Sequence, residues 1–191
     1  MGKHSVVAGI NWKKESFEQK RRELTNWRNH SSFDSTTYPG GLYEINKGAT
    51  NNLALFVQDT YRPNFNWAIY TGLRIDRFKK FDGQHVTYDT TNNRYDTVNH
   101  GEGSYTEWSP RLAIEHYVTD SLNVYASYGH SFNPPPLSQV YRYTDVVRAN
   151  PNLDPERSDT FEVGMKKEWG TKTALNPVSY THLRAHETSL H

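Results

Sequence analysis

The chain has 191 residues, 22 Lys+Arg against 21 Asp+Glu, no Cys, 35% apolar residues and 14% aromatic ones. Near-neutral charge without a block of like charges excludes a nucleic-acid arm, the missing Cys excludes disulfide frameworks and thiolate metal sites, and no stretch approaches the roughly 20 apolar residues of a membrane-spanning helix. The ring content is too high for a disordered chain, while a mean hydropathy of -0.88 is too low for an ordinary packed core, so something else must cover the rings.

Period-two alternation predicts about six strands. The first begins almost at once, without the apolar run and cleavage site of a signal peptide, so either the chain is cytoplasmic or its true beginning lies upstream. It sets Val6, Ala8, Ile10 and Trp12 against Ser5, Gly9, Asn11 and Lys13. The second sets Leu53, Leu55 and Val57 against Asn52, Gln58 and Thr60, and the third Trp67, Ile69, Leu73 and Ile75 against Ala68, Tyr70, Gly72, Arg74 and Asp76. In the fourth, Leu112 and Ile114 alternate with Arg111, Ala113 and Glu115. The fifth alternates Leu122, Val124, Ala126 and Tyr128 with Asn123, Tyr125, Ser127 and Gly129, and the sixth Phe161, Val163 and Met165 with Thr160, Glu162, Gly164 and Lys166.

A half-buried soluble sheet gives the same alternation, so the connections decide. Pro63–Asn66 and Val118–Ser121 are tight turns, whereas 16–50, 79–107 and 131–155 are long, polar and placed at every second connection. Tight turns at one end and long loops at the other are the pattern of an antiparallel transmembrane β-barrel. Rings fall at both ends, as two interfacial girdles would require: Tyr61, Phe65, Trp67, Tyr117 and Trp169 at the tight turns, and Trp12, Phe78, Trp108, Tyr128 and Phe132 towards the loops. Six strands cannot close a barrel, whose minimum is about eight, and open edges cannot face lipid; the expectation is a barrel fragment of about six meandering strands belonging to a longer chain.

The stretch Asn150-Pro-Asn-Leu-Asp-Pro-Glu156, followed by Phe161-Glu-Val-Gly164, resembles the NPxLxPE…(F/Y)E(V/L)G signature of TonB-dependent outer-membrane receptors. Leu122–Pro136, Phe56–Tyr61 with Gly72–Asp76, and Trp108–Leu112 resemble further strands of that family in matching order, so that the likeness covers roughly residues 3–170. The resemblance implies a 22-stranded barrel around a plug in the outer membrane of a Gram-negative bacterium. It further implies uptake of a ferric siderophore, haem, cobalamin or a similar scarce bulky nutrient, driven by proton-motive force through TonB, ExbB and ExbD. Outer-membrane lipid is then a partner, nucleic acid is not, and no cofactor is called for. The sequence departs from the family in having no plug, no TonB box and no last strand ending in an aromatic residue.

Residues 1–172 are therefore expected to be a partial receptor barrel. Residues 173–191 show no sustained strand period, and Val178–Thr188 looks like translated sequencing-adapter DNA; this tail is expected to be non-native or disordered.

No enzyme is indicated, because no Gly-x-Ser-x-Gly, His-Glu-x-x-His, phosphate loop or Cys nucleophile occurs. His182 and His186 lie at metal-ligand spacing but in the suspect tail, and no metal site is expected. His85, His100 and His130 suit haem or metal capture less well than they suit solvated loops, and Asp89–Asp96 reads as a polar hairpin tip. Arg74, Asp76, Arg111, Glu115, Glu162 and Lys166 are expected to face the lumen. Bulky polar ligands are gripped by rigid aromatics and Arg, so Tyr38, Tyr43, Tyr88, Tyr95, Tyr141, Arg142, Tyr143 and Arg148 of the outward loops are the candidate contacts. A soluble carbohydrate-binding β-sandwich is the alternative reading, motivated by abundant Trp and Tyr at low hydropathy.

Overall fold

Alternating segments pair with their neighbours in sequence. The computed structural model describes residues 2–143, 149–150, 152–169 and 173–185. It contains β1 (Lys3–Arg22), β2 (Leu42–Asn64), β3 (Trp67–Asp89), β4 (Arg94–His100), β5 (Gly103–Thr119), β6 (Leu122–Asn133), a short helix α1 (Leu137–Tyr141), β7 (Glu156–Trp169), β8 (Thr173–Leu175) and β9 (Val178–Ala185). All strands belong to one antiparallel sheet ordered β1-β2-β3-β5-β6-β7-β8, with β4 added to β3 and β9 to β7. Among the described residues nothing pairs β1 with the β7 side, so the sheet is open.

Register makes its two faces continuous. One row runs Ile10, Leu55, Ile75, Trp108, and another runs Ile69, Ile114, Ala126, Val163. These side chains have no cover: Ile10 is 73% exposed and Leu55 52%. A contiguous apolar face of this size needs an apolar environment, and among the described residues no second layer supplies one, which excludes a β-sandwich.

The opposite, concave face is polar and bonded to itself. Asp76 is 1% exposed and accepts from Asn52 Nδ2 at 2.9 Å and from Arg74 Nε and Nη2, each at 2.7 Å. Glu115 accepts from the Tyr70 hydroxyl at 3.1 Å and from Asn123, Tyr125 donates to Glu162 at 2.7 Å, and Lys166 pairs with Glu168 at 2.6 Å. The expected lumen set thus shares one face. Arg111 lies between Gly72 and Gly129 in one row and has no partner among the described residues.

Three expectations need correction. Strands are longer than the apolar alternation indicates. β1 runs to Arg22, β2 starts at Leu42, and β3 runs to Asp89, so much of the first two expected long loops is paired strand, while 131–155 keeps only its first three residues in β6. About ten residues suffice to span a bilayer, and at about 3.3 Å per residue the surplus projects well beyond it. Backbone pairing in this extension needs no apolar face, which is why alternation did not mark it. The loop 79–107 is instead the β3–β4 hairpin, tipped by Asp89, whose carboxylate accepts from the amides of Thr91 and Asn92.

The girdles are also smaller. Trp12, Trp108 and Tyr128 hold the loop end of the apolar face, and Tyr61 and Trp67 the turn end, stacked on His4 at 4.3 Å and His116 at 4.1 Å. Phe78 is buried on the concave side, where Phe132 meets it edge-on at 5.7 Å, and Tyr117 belongs to the concave face with Glu115. The cause for Phe132 is local: β6 is paired to β5 only as far as Gly129, and its end turns inward.

Finally, a seventh strand does follow β7, since Val178–Ala185 pairs with Arg157–Gly164. An open edge can template any extended segment through its backbone. The side chains do not match the sheet: Ser179 and Thr181 align with Val163 and Phe161 on the apolar face, while Val178 and Tyr180 align with Gly164 and Glu162.

Candidate site at the loop end of the sheet

Above the apolar band, one irregularity sets the site. Ala49 pairs with Phe81 and Lys47 with Gln84, so β3 carries one residue more than β2, and Asp82 takes a φ of 55° to accommodate it. The extra residue reverses the alternation of β3. His85 therefore joins Asn46 on the concave face and, with His100 of β4 opposite Gly83, lines the inner side of the extension.

The segment around α1 docks onto this surface as a strap. Tyr141 is 1% exposed, and its ring lies where Gly48 and Gly83 have no side chains: a Cβ at those positions would come within 2.2 Å and 2.3 Å of it. Asn46, 0% exposed, fixes the next stretch by donating to the Tyr143 carbonyl and accepting from the Tyr143 amide, both at 3.3 Å. The Tyr143 ring is parallel to His85 at 4.3 Å and to His100 at 5.5 Å. Nearer the loop tip Glu44 is buried and joins Arg21 at 2.7 Å, the Asn46 carboxamide at 2.8 Å and His85 Nε2 at 3.5 Å.

Burial, and secondarily the charge of His85, holds the His100 imidazole below its ordinary value of 6.5, and its Nε2 is buried without a partner among the described residues. Burial pushes the Tyr141 phenol up, with Asp82 acting in the same direction. Burial also lowers Lys80, which lies 5.8 Å over the Tyr105 ring, against the opposing pull of Asp154. The His100, Tyr141 and Tyr143 rings thus form a surface suited to flat, polarisable groups. His85 and His100, expected as solvated loop residues, are half-buried and stacked. The bulge that turns them inward has no signal in the sequence beyond the pair Asp82-Gly83.

The sequence-derived ligand candidates divide between the two faces. Arg142 and Tyr143 belong to the strap, with Arg142 Nε buried and unpartnered among the described residues. Tyr141 is enclosed as the strap's anchor. Tyr88 and Tyr95 pair across β3 and β4 on the other face, with ring centres 5.0 Å apart, and Tyr38 contacts Tyr88 at 6.0 Å and Tyr43 at 5.5 Å. The Tyr95 hydroxyl donates to the Leu42 carbonyl at 2.9 Å. Arg148 and Pro151 lie outside the described residues, as do His186 and the side chain of His182.

The motif residues deliver the chain from the strap into β7. The Asn150 carboxamide accepts from the Asn152 amide at 3.0 Å, the Asn150 carbonyl accepts from the Leu153 amide at 3.2 Å, and Pro155 is buried directly before Glu156 opens β7 opposite Asn133. Asp154 stays exposed, within electrostatic reach of Lys80. On the concave face of the sheet, beside the end of β6, an open groove of about 510 Å³ is lined by Asn52, Phe56, Arg74, Asp76, Phe78, Arg111 and Phe132, among others. Among the described residues no group of three or more His, Asp or Glu side chains is arranged to hold a metal ion.

Residues 3–181 match the family described as TonB dependent receptor-like, beta-barrel. The sheet is similar to part of the ferric-catecholate import receptor Fiu from E. coli K12 in its closed form, at TM-score 0.67 and 20% identity over 94% of this chain and 28% of that one. It is similar to the ferric yersiniabactin uptake receptor FyuA from Yersinia pestis at TM-score 0.60 and 19% identity, over 94% of this chain and 25% of that one. To the copper transporter OprC the similarity is a TM-score of 0.71 at 17% identity, covering 95% and 28%. The chain thus spans little more than a quarter of the structures it matches, and at these identities the likeness is one of fold.

Proposed function

The chain belongs to the TonB-dependent receptor β-barrel family, and from that premise we propose that it forms wall and mouth of a receptor importing a ferric siderophore or a similar scarce bulky nutrient. Proteins of this family reside in the outer membrane of Gram-negative bacteria, so the apolar face is the one that meets lipid. Uptake in this reading is energised by proton-motive force through TonB, ExbB and ExbD. In this reading the protein acts as a transport component.

The observation that supports the reading best is the strap held on the concave side above the band. A ligand descending the lumen passes Tyr143, Arg142 and the stacked His85 and His100, which offer flat rings and a cation. Tyr38, Tyr43, Tyr88 and Tyr95 form a second aromatic patch on the opposite side of the extension. Arg148 stays in the proposed set on its chemistry. Haem and cobalamin share the required flatness and bulk with aromatic iron chelates. The tail 173–191 is kept apart from the receptor as non-native, because β9 brings Ser179 and Thr181 onto the lipid-facing side.

Uptake of a panel of radiolabelled ferric siderophores, haem and cobalamin by cells expressing the intact receptor tests this reading. Transport of one class, abolished by deletion of TonB and weakened about tenfold in apparent KM by Tyr143→Ala or Arg142→Gln, is expected. Uptake of none, or uptake independent of TonB, would overturn it.

A further inference from the structure

From β1 to β7, neighbouring strands keep register towards their outward ends at every seam but one. β2 and β3 hold as far as Glu44 and Thr87, β3 and β5 as far as Lys80 and Gly103, and β6 and β7 as far as Asn133 and Glu156. β5 and β6 part beyond Arg111 and Gly129, although β5 reaches outward to Gly103 and β6 to Asn133. Pro110, the next residue of β5, brings no N–H to a ladder. The outer wall is still apolar there: Trp108 and Leu112 are exposed on β5, and Tyr128 of β6 packs on Phe161 with ring centres 4.9 Å apart. On the concave side the groove of about 510 Å³ reaches both lips of the opening, Ser109 on β5 and Ser131 on β6. Further out, Arg157 clasps Glu107 by two bonds of 3.1 Å and 2.6 Å. Between this clasp and Arg111 the opening is about 13 Å tall, at about 3.3 Å per residue.

The charges around the opening are mostly committed. Asp159 accepts from the Tyr128 hydroxyl and bonds His130, each at 2.8 Å, and Arg74 is held by Asp76. Arg111, at the foot of the opening, has no partner among the described residues. It stands between Gly72 and Gly129, and a Cβ at Gly129 would meet nothing nearer than the Arg111 Cγ at 4.0 Å, so the space beside it is open. We propose that the parting of β5 and β6 is a lateral portal for an anionic single-chain amphiphile, whose head Arg111 holds in the groove while its acyl chain passes outward into the lipid. A free guanidinium fork matches a carboxylate or similar oxyanion. Unpaired strand edges are costly in hydrocarbon, so an opening kept at this level needs an occupant with polar atoms at its inner end. Its closure at both ends favours one chain over a multi-chain lipid. The proposal rests on the reading of this wall as part of an outer-membrane receptor and narrows the cargo to an acylated, negatively charged molecule.

The test places the intact receptor in phospholipid vesicles with dodecanoate carrying a diazirine at its chain end, or with the matching dodecanol, and maps the photo-labelled residues by mass spectrometry. Dodecanoate should label residues 108–112 and 128–131 about tenfold more than the wall around Ile10 and Leu55, and dodecanol should show no such preference. Arg111→Gln should remove the enrichment, and Ser131→Trp should do the same by filling the opening, whereas Lys13→Gln, on the concave face of β1, should leave it unchanged. Heat-modifiable migration confirms that the variants are folded. Even labelling around the wall, equal enrichment by dodecanol, or enrichment kept by folded Arg111→Gln overturns the proposal; absence of the receptor from the outer-membrane fraction would instead overturn the reading it rests on.

Discussion

Between Val6 and Trp12, and in the strands beside them, every second side chain is apolar and uncovered, and across the sheet the opposite face carries polar side chains, such as Asn52, Arg74 and Asp76, that bond to one another. Between Gly83 and His100 the alternation persists in the backbone but carries no apolar face; there the structure is held by a buried tyrosine in a socket of glycines, an asparagine bonded to the strap backbone, and stacked rings. The first region is specified by a repeated pattern that any apolar solvent completes. The second is specified by single residues. A region of the first kind tolerates apolar substitution and fails on charge, whereas one of the second kind fails on a single added methyl.

The largest effect expected from this contrast is in the wall. Leu55→Arg, at the middle of the band, should cost about 2–4 kcal/mol of folding stability in phospholipid vesicles, measured by denaturant titration of the intact receptor, whereas Gln58→Arg on the concave face should cost well under half of that. Equal costs would break the distinction between faces. Gly48→Val should cost about 1–3 kcal/mol locally, because its side chain meets the Tyr141 ring. The expected readout is protease cleavage between Pro134 and Asn150 with the strands intact, and Tyr141→Ala in the same protein should relieve the clash without restoring docking.

How much of this was legible beforehand follows the same division. Strand identity, facing and the tight turns at Pro63–Asn66 and Val118–Ser121 were readable because hydrophobic burial in lipid writes itself as period two. Strand length was not, since backbone pairing above the band constrains no side-chain type. The inward turn of His85 and His100 depends on one extra residue in β3, and a one-residue shift exchanges the faces without changing composition. Tyr141 was recognised as a loop aromatic, but its enclosure depends on Gly48 and Gly83 meeting across a strand pair. Phe132 was misassigned to the girdle because the end of β6 leaves β5 after Gly129 and turns inward, whereas Phe78 sits in the regular concave register opposite Asn52.

Acidification provides a gentler probe of the strap. The His100 pKa lies below its ordinary value of 6.5 in the docked state, so in the undocked state the ring binds a proton more readily. Docking is therefore at full strength above about pH 6.5 and weakens as pH falls through the window below it. Protection of the amides in residues 137–143, corrected for the pH dependence of intrinsic exchange, should fall between about pH 7.5 and about pH 5.5, with protection in β6 and β7 unchanged, and His100→Phe should flatten the response. Unchanged protection would mean that the stacked histidines do not hold the strap. The smallest effect belongs to the outer aromatic patch: Tyr95→Phe removes one exposed bond to the Leu42 carbonyl and should cost about 0.5–1.5 kcal/mol in the β3–β4 hairpin, seen as local exchange only.

The assignment of faces is tested most directly by nitroxides placed singly at residues 67–78 of the intact receptor in bilayers, with collisional access to oxygen and to a water-soluble nickel chelate measured at each. The absence of Cys from this sequence allows each label to be introduced without a competing thiol in this segment. Oxygen access should peak at Ile69, Leu73 and Ile75 and fall at Tyr70, Gly72 and Arg74, with nickel access rising at Arg77 where the wall leaves the band. A profile without period two, or one with the two sets exchanged, would contradict the lipid-facing wall on which the account rests.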